Sequence, residues 1–415
     1  MIQIKKHDPF AALRVKEFQF FILTRFFLTL AIQMQSVIVG WQIYEITKSV
    51  LTLGLIGLAE AIPFIIVSLF SGHVADNFNR KRIIILFTSL LVINTCLLLN
   101  FSIHSETMIK SWGVKPVFII IGLIGVIRGF LAAAFPSFMS QIVPREIYVS
   151  SSTWNSTVWH IASVIGPTIA GFIIVVGYTT AYGVNIIFIL IAVISMFFIK
   201  SKPLPKKEKI ESFYESLTAG VKFVFKNQLL LGALSLDLFA VLFGGAVAIL
   251  PAFADKILFV GSEQLGFLRA APALGAVVMA IFIAYKPPVH SAGRKLLLSV
   301  AGFGAATILF ALSSNFYLSL FFLVLTGAFD NVSVVIRHTI LQLSTPDNMR
   351  GRVAAVNSIF IGSSNEIGAF ESGVAARLAG LRTSVVLGGA ITILIVAATA
   401  KIVPNLRKLN INDIK

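Results

Sequence analysis

The sequence predicts an all-α membrane protein whose twelve transmembrane helices form two pseudo-symmetric six-helix bundles. Three observations lead there. Of the 415 residues, 57% are hydrophobic and only 13% charged, about half the charged share (~25%) of a soluble domain. The apolar residues gather into runs of about 20, the length a helix needs to cross a bilayer. Positive charge, finally, falls in alternate connections between those runs.

The runs are 18–46, 51–74, 83–103, 116–138, 153–177 and 181–200, then 229–255, 264–285, 296–312, 316–341, 353–376 and 383–403. This divides the chain into a leader (1–17), a first bundle (18–200), a linker (201–228), a second bundle (229–403) and a tail (404–415). A short amphipathic stretch is expected in the linker. The first run is too long for a secretory signal and lacks a small-residue cleavage site, so it reads as a permanent helix.

Of the 34 Lys and Arg, Lys48, Lys110, Lys115, Lys256 and Arg382 lie in connections on one face, Arg25, Arg128, Arg269, Arg337 and Arg377 lie within runs, and the other 24 lie on the opposite face. Lys and Arg concentrate in cytoplasmic loops, so both termini and the Asp76–Arg82 turn are expected in the cytoplasm. The net charge of +16 does not indicate a nucleic-acid partner, because such a protein gathers its cations on one surface. Membrane lipids are the expected surroundings, and a monomer is the expected state. The single cysteine, Cys96, excludes an internal disulfide and a Cys-based metal site. His160 and His338 lie within runs, without a cluster at metal-ligand spacing, and read as packed histidines. No metal and no cofactor are expected.

The halves repeat. A shift of 202 residues lays Pro144 on Pro346, Asn155–Ser156 on Asn357–Ser358, Gly166 on Gly368 and Gly171 on Gly373. Asn and Pro are scarce in apolar helices, so the shared spacing marks a duplication across spans four to five and ten to eleven. Duplicated bundles of this kind carry a substrate site between them near the midplane.

The turn between the second and third runs holds Gly72, Asp76, Arg80, Lys81 and Arg82 as G-x-x-x-D-x-x-x-R-K-R. This resembles the signature of the major facilitator superfamily, of which only Gly293-Arg294-Lys295 remains in the second half. Asp237-Leu-Phe-Ala-Val-Leu-Phe-Gly-Gly, Leu268-Arg-Ala-Ala-Pro and Thr345-Pro-Asp-Asn-Met-Arg-Gly-Arg resemble the branch that contains the bacterial enterobactin exporter. The resemblance covers essentially the whole chain. It implies the major facilitator fold and a bacterial cytoplasmic (inner) membrane location. It also implies that Asp76, with Arg80, Lys81 and Arg82, latches the halves when the inner side is closed. Read from the residues, Asp76 would stabilise the exposed N–H groups of a helix start. Gly166, Pro167 and Gly171 form a kink in span five, either an antiporter signature or a packing feature, since Pro bends a helix interior. Thr153 and Ala162 stand where antiporters of the superfamily often carry further glycines.

Charge inside a span costs ~2.5–3.5 kcal/mol, so it marks function or a partner. The resemblance places spans one, four, seven and ten around a central cavity, which makes Arg25, Arg128, Asp237, Asp330 and Arg337 the cavity and substrate-binding candidates. Arg128 and Asp330 are related by the 202-residue shift, so they either pair across the halves or brace each its own. Arg25 and Arg337 lie nearer the cytoplasmic ends, where snorkelling accounts for them. Asp237 either meets substrate or braces Arg337. Glu60, Glu366 and Glu371, off those spans, are proton-coupling candidates, since burial favours the neutral carboxyl; an ion pair or hydrogen bond to a neighbouring helix is the alternative. In the superfamily span two faces span eleven, so Glu60 and Glu366 are expected at one gate.

No P-loop and no G-x-S-x-G motif is present, and no connection is long enough for a catalytic domain. The chain is not expected to be an enzyme. The expected function is secondary active transport by alternating access, in the form of a proton-coupled exporter of a small amphiphilic or chelating molecule such as a siderophore or drug. A lipid or lysolipid translocator and a non-transporting receptor or scaffold are the alternatives. Topology is testable in a Cys96→Ala background. Lys48→Cys, Lys115→Cys and Lys256→Cys should react with an impermeant thiol reagent added to whole cells, and Arg80→Cys, Lys206→Cys and Arg294→Cys should not. External labelling at position 80 would reverse the orientation.

Overall fold

The computed structural model describes residues 10–203, 213–346 and 349–411, so most of the leader, part of the linker and the last tail residues fall outside the description. Twelve long helices run in order: α1 Lys16–Thr47, α2 Val50–Asn77, α3 Arg80–Ile103, α4 Lys115–Ile142, α5 Tyr148–Val176, α6 Tyr178–Phe197, α7 Gln228–Gly244, α8 Ser262–Tyr285, α9 Ala292–Leu312, α10 Phe316–Leu343, α11 Arg350–Ala379 and α12 Leu381–Ile402. A short helix, Ser105–Trp112, joins α3 to α4. A second, Phe213–Lys226, occupies the linker and packs on α11. There is no strand among the described residues.

Helix starts follow side-chain chemistry. Ser49, Asn79, Asn227 and Asn315 each accept a hydrogen bond from a backbone N–H of the first turn of α2, α3, α7 and α10, which satisfies a donor the helix leaves open. Asn79, not Asp76, therefore caps α3; Asp76 lies in the last turn of α2, which runs on to Asn77 and leaves Phe78 and Asn79 as the connection. The turns from α5 to α6 and from α11 to α12 each pass through one glycine at positive φ, Gly177 (137°) and Gly380 (88°), a conformation that side-chain-bearing residues rarely take.

Two seams join the halves, α2 against α11 and α5 against α8. A Cβ on Gly54 would lie 3.0 Å from the Cα of Gly373, and one on Gly171 would lie 3.0 Å from the Cα of Gly266 and 2.5 Å from the Ser262 carbonyl oxygen. Small residues let helix backbones approach this closely. The seams are equivalent under the repeat, because Gly171 and Gly373 are among the residues it superposes. Gly166 and Gly368 obey it too, seated on the carbonyls of Leu30 in α1 and Leu242 in α7.

The halves meet toward one end. Call the end with the Asp76–Arg82 turn the basic end, and the other the far end. One hydrophobic core fills the first half and enters the second only through far-end and central residues, among them Leu250, Phe253, Leu265, Phe310 and Val385. The basic end of the second half has a separate core around Leu230, Leu296, Ile336 and Val353. A polar tie reinforces the far end: Tyr44 Oη donates to Asp255 Oδ2 at 3.0 Å, and Lys48 Nζ lies 3.3 Å from the same oxygen.

Two spans differ from the expected apolar runs. The seventh ends as a regular helix at Gly244. It continues to Leu258 through an extended Gly245, a 3-10 turn, a short helix and a π turn. The Gly245 carbonyl freed by the break accepts a hydrogen bond from Ser372 Oγ of α11 at 2.8 Å, which keeps irregular backbone satisfied inside a membrane. Among the described residues, eleven spans are long and apolar enough to cross a bilayer. The remaining long helix, α11, carries Asn357, Asn365, Glu366 and Glu371 and is packed between α2 and α7. Gly171→Leu should overpack its seam and cost about 1–3 kcal/mol, lowering the melting temperature in detergent. Gly72→Ala, where a Cβ meets nothing within 4 Å, should leave it unchanged or raise it. Equal melting for Gly171→Leu and the parent would mean that the α5–α8 contact is not held.

Candidate functional site

A cavity of about 550 Å³ lies between the halves, in the ~300–1,000 Å³ range of small-molecule sites. Its wall is largely apolar, with Ile32, Ile56, Phe64, Ile121 and Ile124, and carries the polar side chains of Gln33, Ser36 and Asn365. Four ionisable side chains line it, from four helices: Glu60 of α2, Arg128 of α4, Arg269 of α8 and Glu366 of α11.

Three of the four form one cluster. Arg128 Nη1 donates to Glu60 Oε1 within its own half and to Glu366 Oε1 of the other half at 3.2 Å. The Arg128 guanidinium also lies 5.8 Å from the centre of the Phe64 ring. Small residues bring the groups together. A Cβ on Gly125, one turn before Arg128, would sit 2.2 Å from the Glu60 carbonyl oxygen, so α4 rides directly on α2. A Cβ on Gly57 would sit 2.6 Å from the Ala369 Cβ and 3.2 Å from the Glu366 carbonyl oxygen, which carries α11 and its carboxylate across the seam. A guanidinium offers five donors in a fixed fork and stays charged, so it can bridge two carboxylates from different helices.

The other expected cavity residues lie elsewhere. Arg25, Asp237, Asp330 and Arg337 do not line the cavity. Arg337 does not snorkel; it is buried and forms an ion pair with Asp237 within the second half. Asp330 does not meet Arg128. It faces a small cleft inside its own half with Asp237, Val300, Phe303 and Ser333. The guanidinium of Arg25 stacks over Phe135 of α4, 5.1 Å from its centre. Glu371 faces the break in α7, beside Gly245 and Ser372. The span holding each residue is read by counting along the chain. The face it presents is set by helix rotation and by the nearest countercharge, which pulled Arg128 toward Glu60 and Arg337 toward Asp237. Among the described residues, no group of His, Cys, Asp or Glu could hold a metal ion.

Arg269 is the cavity residue that sequence reasoning left without a role. It was visible as an arginine within a run, inside Leu268-Arg-Ala-Ala-Pro, but on a helix not expected to face the cavity. Its Nη2 lies 3.5 Å from where a Cβ on Gly40 of α1 would be, so the side chain reaches across to the first half.

The turn residues are tied to their own half. Arg80 is buried; its Nε donates to the Ala75 carbonyl at 2.9 Å and its Nη2 meets Asp76 Oδ1 at 3.1 Å. Lys81 Nζ donates to the Ile199 carbonyl at the end of α6. Arg82 receives the Asn79 cap at its backbone N–H. Gly72 has open space around it. Gly166 and Gly171 flank Pro167 inside α5 and seat it against α1 and α8 respectively.

Residues 7–415 match a family described as transmembrane secretion effector. The enterobactin exporter EntS of Shigella flexneri is 28% identical over 356 residues, spanning 84% of this chain and 80% of that protein. Among solved structures, a bacterial homologue of the human lysosomal transporter Spinster, described as inward-facing and unoccupied, aligns with a TM-score of 0.72 at 15% identity, covering 94% of this chain and 97% of that one. A D-xylose–proton symporter aligns with a TM-score of 0.69 at 13% identity, covering 97% and 99%.

These contacts forecast which pairs couple. Arg337→Met strands Asp237 and should cost about 3–5 kcal/mol, much of it regained in the double variant with Asp237→Asn. Arg128→Met and Asp330→Asn share no partner, so their losses should add within about 0.5 kcal/mol. Double-mutant cycles on thermal stability measure both, and strong coupling between Arg128 and Asp330 would contradict the geometry.

Proposed function

The chain belongs to the transmembrane secretion effector family, a group of multi-pass membrane transporters with the major facilitator fold, and from that premise we propose a proton-coupled exporter of a small amphiphilic or chelating molecule. In this reading the basic end faces the cytoplasm of a bacterial cell and the conformation is the inward-facing one. The halves are tied at the far end by the glycine seams and by Tyr44 and Lys48 on Asp255. A monomer suffices, since both halves of the cavity come from one chain.

The observation that carries the proposal is Arg128 held between Glu60 of its own half and Glu366 of the other. A carboxylate in contact with a guanidinium is ionised; adding a proton removes the charge that holds it. Protonation of Glu366 therefore loosens an ion pair that crosses the halves inside the cavity. Hydrogen-bond donors on a cargo, such as phenols, hydroxamates or amines, need the same ionised carboxylates. Proton and cargo then compete for one place, which is the condition for exchanging one against the other. A transporter in which each ligand shifts the balance between two states needs different contacts in each state. A link that spans the halves supplies that difference.

The similarity to an enterobactin exporter supports a cargo rich in such donors, and the cavity volume of about 550 Å³ accommodates one drug-sized molecule. In proteoliposomes, Glu366→Gln should abolish concentration of substrate against its gradient while a weaker substrate binding persists, and Glu60→Gln should do the same or slow it at least tenfold. Normal uphill transport by Glu366→Gln under an imposed pH gradient would remove that residue from coupling.

A further inference from the structure

We propose that Arg269 is an anion-anchoring site of the central cavity, taking a carboxylate, a phosphate-type oxygen cluster or an ionised phenol of the transported molecule. The proposal rests on the exporter reading insofar as the occupant is cargo; the site itself rests on geometry.

Three of the other span arginines have an interaction of their own. Arg25 lies on the Phe135 ring, Arg128 holds two carboxylates and Arg337 holds Asp237. Among the described residues, Arg269 has no ion pair within 4 Å, and its Nε is shielded from solvent with no hydrogen-bond partner. Arg269 is half-buried; a cation against a largely apolar wall without a bonded anion is costly, and an arginine cannot escape by losing its proton. A guanidinium kept in this state inside a ligand-sized cavity is a site prepared for a group that arrives and leaves.

Its setting selects the charge. Glu366 lines the same cavity and acts on Arg269 through space, but its hydrogen bond goes to Arg128 and no ion pair joins it to Arg269 within 4 Å. The polar neighbours on the α1 wall, Gln33 and Ser36, are neutral. Nη2 packs over Gly40, with Pro251 beside it, while Arg269 also lines the cavity, so an incoming anion meets the guanidinium from the cavity side. Planar recognition of carboxylate and phosphate is what the guanidinium geometry favours. The apolar wall of Ile32, Ile56 and Ile121 accepts the rest of an amphiphilic molecule. The cargo is thus handled in two places: donor groups at Glu60 and Glu366, where they compete with protons, and an anionic group at Arg269, where recognition is independent of coupling.

Ser36 is exposed on the cavity wall, so Ser36→Cys in a Cys96→Ala background reports on the cavity. Its reaction rates with a sulfonate-bearing and a trimethylammonium-bearing methanethiosulfonate give a ratio that reads local charge. Arg269→Gln should lower the anionic-to-cationic ratio about tenfold, and Arg269→Lys should keep most of it. With Arg269 intact, benzoate should protect the thiol and benzamide, of the same shape without the charge, should not. An unchanged ratio in Arg269→Gln, or equal protection by the acid and the amide, overturns the proposal. The benzoate comparison decides the matter even if Arg269→Gln fails to fold. Preference for benzoate over benzamide, with stronger protection still by lysophosphatidylglycerol and no proton-driven uphill transport of small molecules, keeps the anion site and sinks the small-molecule exporter reading. Uphill proton-driven transport combined with no preference for the acid does the reverse.

Discussion

A charge held inside a membrane protein is costly without a countercharge, and this cost organises the centre of the molecule. Arg128 sits on α4, yet the carboxylates it holds come from α2 and α11. The first contact binds two helices of one half, and the second binds the halves to each other. Both depend on glycines that thin the helix surfaces. With a bulkier residue at Gly125, α4 would ride farther from α2, and the same change at Gly57 would push α11 away. Backbone packing at small residues and ion pairing at the midplane are one construction.

The scaffold is symmetric and the chemistry is not. Gly54 on Gly373 and Gly266 on Gly171 are equivalent contacts in equivalent seams, and Gly125 and Gly327 both press on the carbonyls of the helix beside them, those of Glu60 and Pro272. In that register Pro272 stands where the first half has Glu60, and Arg269 stands where it has Gly57. Duplication supplied two seams of the same shape. Substitution at a few positions then placed the carboxylate on one and the unpaired cation on the other. Asp237 and Arg337 of the second half pair with each other.

The two ends of the molecule differ in what crosses between the halves. At the far end a tyrosine and a lysine of the first half meet one aspartate of the second, above a continuous apolar core. At the basic end the signature residues Asp76, Arg80 and Lys81 spend their hydrogen bonds inside the first half. The buried Arg80 needs acceptors in this arrangement, since a buried donor left unpaired is costly. The contacts of Arg80 with the Ala75 carbonyl and Asp76 meet that need.

What the sequence determined by itself was everything that depends on distance along the chain. Run length, the spacing of Lys and Arg, and the 202-residue repeat give the number of helices and the two-bundle plan, because a bilayer of fixed thickness converts hydropathy into structure. The same logic named the buried charges. The tertiary structure decided their company. Glu60 and Glu366 lie 306 positions apart and share one guanidinium; Arg128 and Asp330 are related by the repeat and do not meet. Arg269 acquires its place only when α8 crosses to α1 over Gly40. A helix turns about 100° per residue, so one degree of freedom, its rotation against its neighbours, selects the face each charge presents. That rotation is set by close packing at glycines and by the energy of an unpaired ion, neither of which hydropathy along a single chain can register.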